Sequence, residues 1–148
     1  MADLQTKKFM KRVTAIGGIF IKYNEPEKMR DWYQTHLGLR TDSYGTSFEW
    51  RHADEPNKKG YSVWSTFQKN SNYFEPSQKE FMINMRVDDL ESLLAVLKQE
   101  GVTILNEIQE YEYGKFAHIL DPEGVKIELW EAVDEEYEKM ITEKNTTK

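Results

Sequence analysis

The chain contains no cysteine, which excludes disulfide bonds, thiolate metal ligands and a cysteine nucleophile. It also lacks a long apolar run: the longest, Ala15–Ile21, is far too short to cross a bilayer. No segment near the start has the apolar core of a signal peptide. These absences predict a cytoplasmic protein with no membrane partner.

Positive charge is scarce as well. The chain carries 20 Lys and Arg against 26 Asp and Glu, which gives a net charge of −6 and a pI of about 5.2. Nucleic-acid-binding domains usually show the opposite balance, so no nucleic-acid partner is expected. One local basic cluster, Lys7, Lys8, Lys11 and Arg12, is interpreted as a solvated N-terminal arm rather than a phosphate site.

Aromatic residues, by contrast, are abundant. They make up 13% of the 148 residues, with four Trp and eight Tyr. A chain of this length builds one domain with a real core, but it does not need so many rings for that core. The surplus rings are therefore expected to line a pocket or an interface.

The chain contains an internal repeat. Val13–Tyr23 is mostly apolar and β-branched and predicts a strand, followed by a helix over residues 25–37 that ends at Gly38. Phe81–Val87 predicts a second such strand, and its helix ends at Gly101, 63 residues after Gly38. This spacing indicates two copies of one supersecondary unit.

Three further β-like runs follow each helix, so each copy is expected to be a βαβββ module. The fold class is therefore α+β. We assign residues 12–68 to module one, 79–131 to module two and 132–148 to a charged tail of a single domain. The tail either docks on the domain or frays. The predicted runs are Leu39–Ser43, Thr46–His52 and Tyr61–Phe67 in module one, and Thr103–Glu107, Lys115–Leu120 and Val125–Glu131 in module two.

Three motifs carry a family resemblance: Trp32–Leu39 at the end of the first helix, Val87–Leu90 at the second strand-to-helix junction, and the terminal hairpin Asp121–Trp130. Together they resemble the vicinal-oxygen-chelate superfamily of glyoxalase, bleomycin-resistance and extradiol-dioxygenase proteins, in particular its uncharacterised glyoxalase-related branch. The resemblance implies curved mixed sheets around a small-molecule cleft, and a homodimer.

Many proteins of that superfamily hold a metal ion through ligands at four positions. The resemblance places these positions at Gly18, Trp64, Met82 and Glu128. Only Glu128 offers a hard ligand, and one carboxylate does not hold a divalent ion strongly. The sequence therefore predicts neither a metal nor another cofactor, although an altered site that recruits His118 stays open.

Glu128 and His118 are nevertheless candidate catalytic residues. Strand alternation points Glu128 into the cleft, and a bulged turn at Asp121–Gly124 would pair it with His118 across the hairpin. An imidazole beside a carboxylate can act as an acid–base pair. The alternative is a purely structural pair that joins two strands.

The same alternation predicts the ligand-binding wall. It combines aromatic side chains with a few polar groups, as is usual for small-molecule sites. Trp64 is expected to fill the space that a metal ligand would otherwise occupy. The candidate ligand-binding residues are Trp64, Phe20, Met82, Asn84, Arg86, Phe116, Trp130 and Trp50.

Three functions fit these residues. The first is a protein that binds or sequesters a small organic molecule, and the second is a metal-independent enzyme with His118 and Glu128 as acid and base. The third, an alternative to both, is a metal-dependent lyase, isomerase or dioxygenase of the glyoxalase type with a modified site that includes the same two residues. One fold hosts many activities, so the resemblance alone does not choose among them.

Overall fold

The computed structural model describes residues 11–148, so most of the basic cluster at the start lies outside the described part. Of its members, Lys11 pairs with Asp54 and Asp88, and Arg12 pairs with Glu100. No helix of the described residues is both long and apolar enough to span a membrane.

Three helices and nine strands make up the described chain. The helices are α1 (Pro26–Leu37), α2 (Leu90–Gln99) and α3 (Asp134–Glu138). The strands are β1 (Val13–Tyr23), β2 (Gly45–Arg51), β3 (Lys59–Gln68), β4 (Phe81–Val87), β5 (Thr103–Ile104), β6 (Gln109–Tyr111), β7 (Gly114–Leu120), β8 (Lys126–Ala132) and β9 (Thr146–Thr147).

The strands form one mixed, open sheet in the order β5-β7-β8-β4-β1-β3-β2-β9, with β6 paired beside β7. The predicted repeat is visible in the pairing. Each module's first strand runs parallel to its last strand, β1 with β3 and β4 with β8, and the two first strands meet antiparallel in the centre. The expected α+β class and the glyoxalase-type arrangement are thus confirmed.

Local signals set the helix ends. Asp89 caps α2 by accepting a hydrogen bond from the amide of Ser92, and Gly38 ends α1 with a φ of 71°. The N-cap of α1 is Glu25, which makes no side-chain cap, and Pro26 begins the helix.

The main core lies under α2. Leu90 and Leu93 of this helix are buried against Leu129 of β8 and Ala117 of β7. Ile127 packs against the same cluster, so the apolar side chains of β8 lie under the helix as alternation predicted. The alternate side chains of β8 therefore point to the opposite face, where the candidate site lies.

Module one departs from the prediction. Leu39–Ser43 is not a strand, because Asp42 instead makes a turn in which its carboxylate accepts hydrogen bonds from the amides of Tyr44 and Gly45. The free edge of β2 is covered by β9 from the tail, where the Ser47 amide donates to the Asn145 carbonyl. The tail therefore docks, and it supplies the edge strand that module one lacks.

Candidate functional site

A cavity of about 640 Å³ lies between the inner faces of the two modules and the docked tail. Its walls are largely aromatic. The rings of Phe116 and Trp130 stack at a centroid distance of 5.7 Å, and those of Phe67 and Tyr73 at 5.8 Å. The aromatic residues lining it are Phe20, Tyr44, Phe67, Tyr73, Tyr111, Tyr113, Phe116, Trp130 and Tyr137.

Glu128 forms the polar floor of this cavity. Its side chain is buried, with the residue 3% exposed, and it accepts three hydrogen bonds. The Tyr73 hydroxyl (2.5 Å) and the His118 Nε2 (2.8 Å) donate to Oε2, and the Asn84 amide nitrogen (2.7 Å) donates to Oε1. The carboxylate is thus held in one orientation by three neutral donors.

Asn106 fixes the tautomer of His118. Its amide oxygen accepts a hydrogen bond from the His118 main-chain amide (3.0 Å), which turns its amide nitrogen towards Nδ1 of the ring at 2.8 Å. Because that nitrogen is a donor, Nδ1 accepts and the ring proton lies on Nε2. His118 therefore donates its Nε2 proton to Glu128.

Tyr73 reaches the floor from the segment that links the two modules. Burial and the neighbouring charge of Glu128 raise the pKa of Tyr73 well above its ordinary value, so the phenol keeps its proton. Lys126 holds this segment in place: its ammonium donates to the carbonyls of Tyr73 (2.7 Å) and Glu75 (3.1 Å). Burial lowers the pKa of Lys126.

The tail is attached beside the cavity by a buried ion pair. Arg86 of β4 makes two hydrogen bonds, of 2.9 and 2.8 Å, to Asp134 at the start of α3. The guanidinium also lies over the rings of Trp50 and Trp130. Nε2 of His52 contacts the same carboxylate at 3.0 Å.

Five of the ten residues singled out from the sequence line the cavity: Phe20, Asn84, Phe116, Glu128 and Trp130. His118 lies directly behind Glu128 and is 2% exposed. Its pairing with Glu128 across the hairpin is the one that the turn chemistry predicted. Their binding and catalytic roles remain predictions.

Four residues lie elsewhere. Met82 is fully buried, and Arg86 and Trp50 pack against each other outside the lining. The expected position of Trp64 was wrong: its ring packs on Tyr33 of α1, 4.4 Å away between centroids, on the opposite face of the sheet. Both faces of β3 carry a mixture of apolar and polar side chains, so alternation alone did not identify the face towards the cavity.

Sequence reasoning missed several site residues. Tyr73 lies in the segment read as a linker, and Asn106 lies in the predicted run Thr103–Glu107 without having been singled out. Tyr137, Met140 and Ile141 reach the cavity from the tail. The one available signal was the pair Tyr73-Phe74 within an otherwise polar linker. Two adjacent rings in such a segment indicate that it packs back on the domain.

The residues around Glu128 do not fit a divalent metal ion. The strand register places Asn84, Gly18 and Val63 level with Glu128 across the sheet. Only Glu128 among them is a strong ligand, and its oxygens already accept three hydrogen bonds. No group of three or more His, Asp or Glu side chains in residues 11–148 has the geometry of a metal site.

The sequence profile of the glyoxalase/bleomycin resistance protein/dioxygenase superfamily matches residues 15–129 of the chain. The chain belongs to this superfamily. None of the curated proteins matches it in sequence.

Solved structures agree with this placement in the superfamily. A methylmalonyl-CoA epimerase of Streptomyces coelicolor, in complex with 2-nitronate-propionyl-CoA, is 14% identical, with a TM-score of 0.61 over 82% of this chain and 99% of that one. The epimerase of Mycobacterium tuberculosis is 17% identical, with a TM-score of 0.57 over 91% and 95%. A superfamily member from Vibrio splendidus 12B01 is 10% identical, with a TM-score of 0.50 over 76% and 95%. At these identities the likeness concerns the fold alone.

Proposed function

We propose that this superfamily member binds a small aromatic organic molecule in its central cavity, with Glu128 as the polar anchor of the site. One observation carries the proposal: a ring-lined cavity of about 640 Å³ ends on a buried, oriented carboxylate. This volume suits a drug-sized ligand, and such sites combine apolar walls with a few fixed polar groups.

The acyl-CoA chemistry of the epimerases is not part of this proposal. A CoA ester carries several negative charges on its phosphate groups, which call for Lys or Arg around the site. The cavity lining formed by the described residues contains neither, and it contains two acids, Asp42 and Glu128. This lining therefore gives no support for an acyl-CoA ligand.

Binding can be tested with three probes of similar shape: 2-phenylethanol, 2-phenylethylamine and 3-phenylpropionate. Each is titrated into the ¹⁵N-labelled protein, and amide shifts are followed by NMR. We expect saturable shifts around Phe116 and Trp130, with a Kd of about 1 mM or tighter for at least one of these small probes. If no probe gives saturable shifts there, the proposal is wrong.

A matched pair of tryptophan variants localises the binding. Trp130 lines the cavity, whereas Trp64 lies on the opposite face of the sheet. Trp130→Phe should weaken the affinity for every bound probe, because it removes stacking surface beside Phe116. Trp64→Phe should leave each Kd unchanged. Equal effects of the two variants would contradict this location.

A second function, proton transfer without a metal, is favoured by the hydrogen-bonded chain of Tyr73, Glu128 and His118. Oε1 of Glu128 accepts only one hydrogen bond, from Asn84, so it retains a lone pair to accept a proton from a ligand carbon next to a carbonyl group. That step turns the carboxylate into the acid and leaves an enolate, which is reprotonated at the same carbon.

Acetophenone in D₂O tests this second function, because the methyl hydrogens next to its carbonyl exchange slowly without a catalyst. The protein should speed up deuterium incorporation, followed by NMR, and Glu128→Gln should abolish the acceleration. Binding of acetophenone should persist in the variant. Exchange that is equally fast with both proteins would exclude Glu128 as the base.

A further inference from the structure

An unpaired hydrogen-bond acceptor in the cavity floor indicates what kind of ligand fits. The side-chain oxygen of Asn84 is buried, and no donor from residues 11–148 reaches it. Buried polar atoms are nearly always hydrogen-bonded, and an unpaired one is costly. Asn84 is 2% exposed and is one of the residues that line the cavity, so a hydrogen-bond donor at the floor of the cavity is the group that would pair this oxygen.

The orientation of the Asn84 amide is fixed. Its nitrogen donates to Oε1 of Glu128 at 2.7 Å, so the oxygen cannot exchange places with it without losing that bond. Gly17 makes room for the oxygen, because a Cβ at this position would collide with it. The floor therefore contains two acceptors on hydrogen-bonded side chains, the Asn84 oxygen and Oε1 of Glu128.

The charges around the cavity point the same way. Two cationic side chains on β4 and β8 are already paired: Arg86 binds Asp134, and Lys126 donates to main-chain carbonyls. The three donors that contact Glu128 are neutral groups, so no cation contacts its charge directly. The surrounding rings present electron-rich faces, which attract cations.

We infer that the ligand of this cavity is an organic amine in its protonated form, bound by N–H donation from its ammonium group to Asn84 and Glu128. This inference rests on the proposed binding function and specifies its ligand class. The ammonium supplies the donor that the Asn84 oxygen lacks and the charge that Glu128 lacks, while its aromatic part stacks between the rings.

The three probes test this inference on the wild-type protein. 2-Phenylethylamine should bind about ten- to one-hundred-fold more tightly than 2-phenylethanol, the range expected for charge-assisted hydrogen bonds, and 3-phenylpropionate should bind most weakly. If the alcohol or the carboxylate binds as tightly as the amine, the inference is wrong while the proposed binding function stands. If none of them binds, the binding function itself fails.

Two variants and one further probe identify the groups involved. Glu128→Gln should remove most of the preference for the amine over the alcohol. Glu110→Gln is the matched control: it makes the same charge change on β6, outside the lining, and should keep the preference. An N,N,N-trimethylated amine should bind at least about tenfold more weakly, since it has no N–H to donate. Equal binding of the trimethylated probe would overturn the role of Asn84.

Discussion

The buried ion pair between Arg86 and Asp134 should control both the stability of the tail and the shape of the cavity. Each side chain is 6% exposed, and the guanidinium makes two hydrogen bonds to the carboxylate, at 2.9 and 2.8 Å. Asp134→Asn leaves the charge of Arg86 buried between Trp50 and Trp130 without its counter-ion.

The expected loss in the free energy of unfolding is about 3 kcal/mol. Removing one partner of a buried pair costs about 3–5 kcal/mol. The lower end applies because the new amide oxygen can still accept one of the two hydrogen bonds. Because Tyr137 and Met140 reach the cavity from the same tail, ligand affinity should fall as well.

Urea unfolding measures this loss, provided that the slope against urea stays constant. Glu135→Gln is the matched control, because it removes an exposed acid from the same first turn of α3. The double variant Arg86→Met with Asp134→Leu should recover part of the loss, since it leaves no unpaired charge. A loss below about 1 kcal/mol for Asp134→Asn, as for an exposed pair, would refute the reasoning.

Three further predictions concern the floor and the edge of the sheet. Burial raises the pKa of Tyr73, so the stability it contributes is present below about pH 10, where the unfolded phenol titrates, and is lost as the pH rises further. The free energy of unfolding measured in urea should therefore fall more steeply above about pH 10 in the wild type than in Tyr73→Phe. Equal pH dependences in the two proteins would contradict this. Gly17→Ala should cost about 1–3 kcal/mol in thermal unfolding, because its methyl group collides with the Asn84 amide; an unchanged Tm would show that the floor has spare room. Truncation before Asn145 should speed hydrogen exchange at the Ser47 amide, which donates to that residue's carbonyl, and unchanged protection there would show that β9 does not cover the edge.

The homodimer expected from the family resemblance stays a prediction, which sedimentation equilibrium of the full chain tests. The cytoplasmic location stays one as well.

The sequence by itself determined the features that depend on neighbouring residues. Helix-capping signals and the spacing of Gly38 and Gly101 identified the repeat, because each is a local requirement of the backbone. The turn at Asp121–Gly124 set the register of its hairpin and so brought His118 beside Glu128. These predictions needed no knowledge of distant contacts.

Only the tertiary structure decided which distant segments complete the site. Tyr73 comes from the linker, and β9 pairs with β2 from the far end of the chain, through contacts that no local pattern encodes. The face on which Trp64 lies was also decided this way, because the alternation along β3 is chemically ambiguous and α1 covers one side. Strand pairing fixes which residues are neighbours, but packing across the sheet decides which face becomes the cavity.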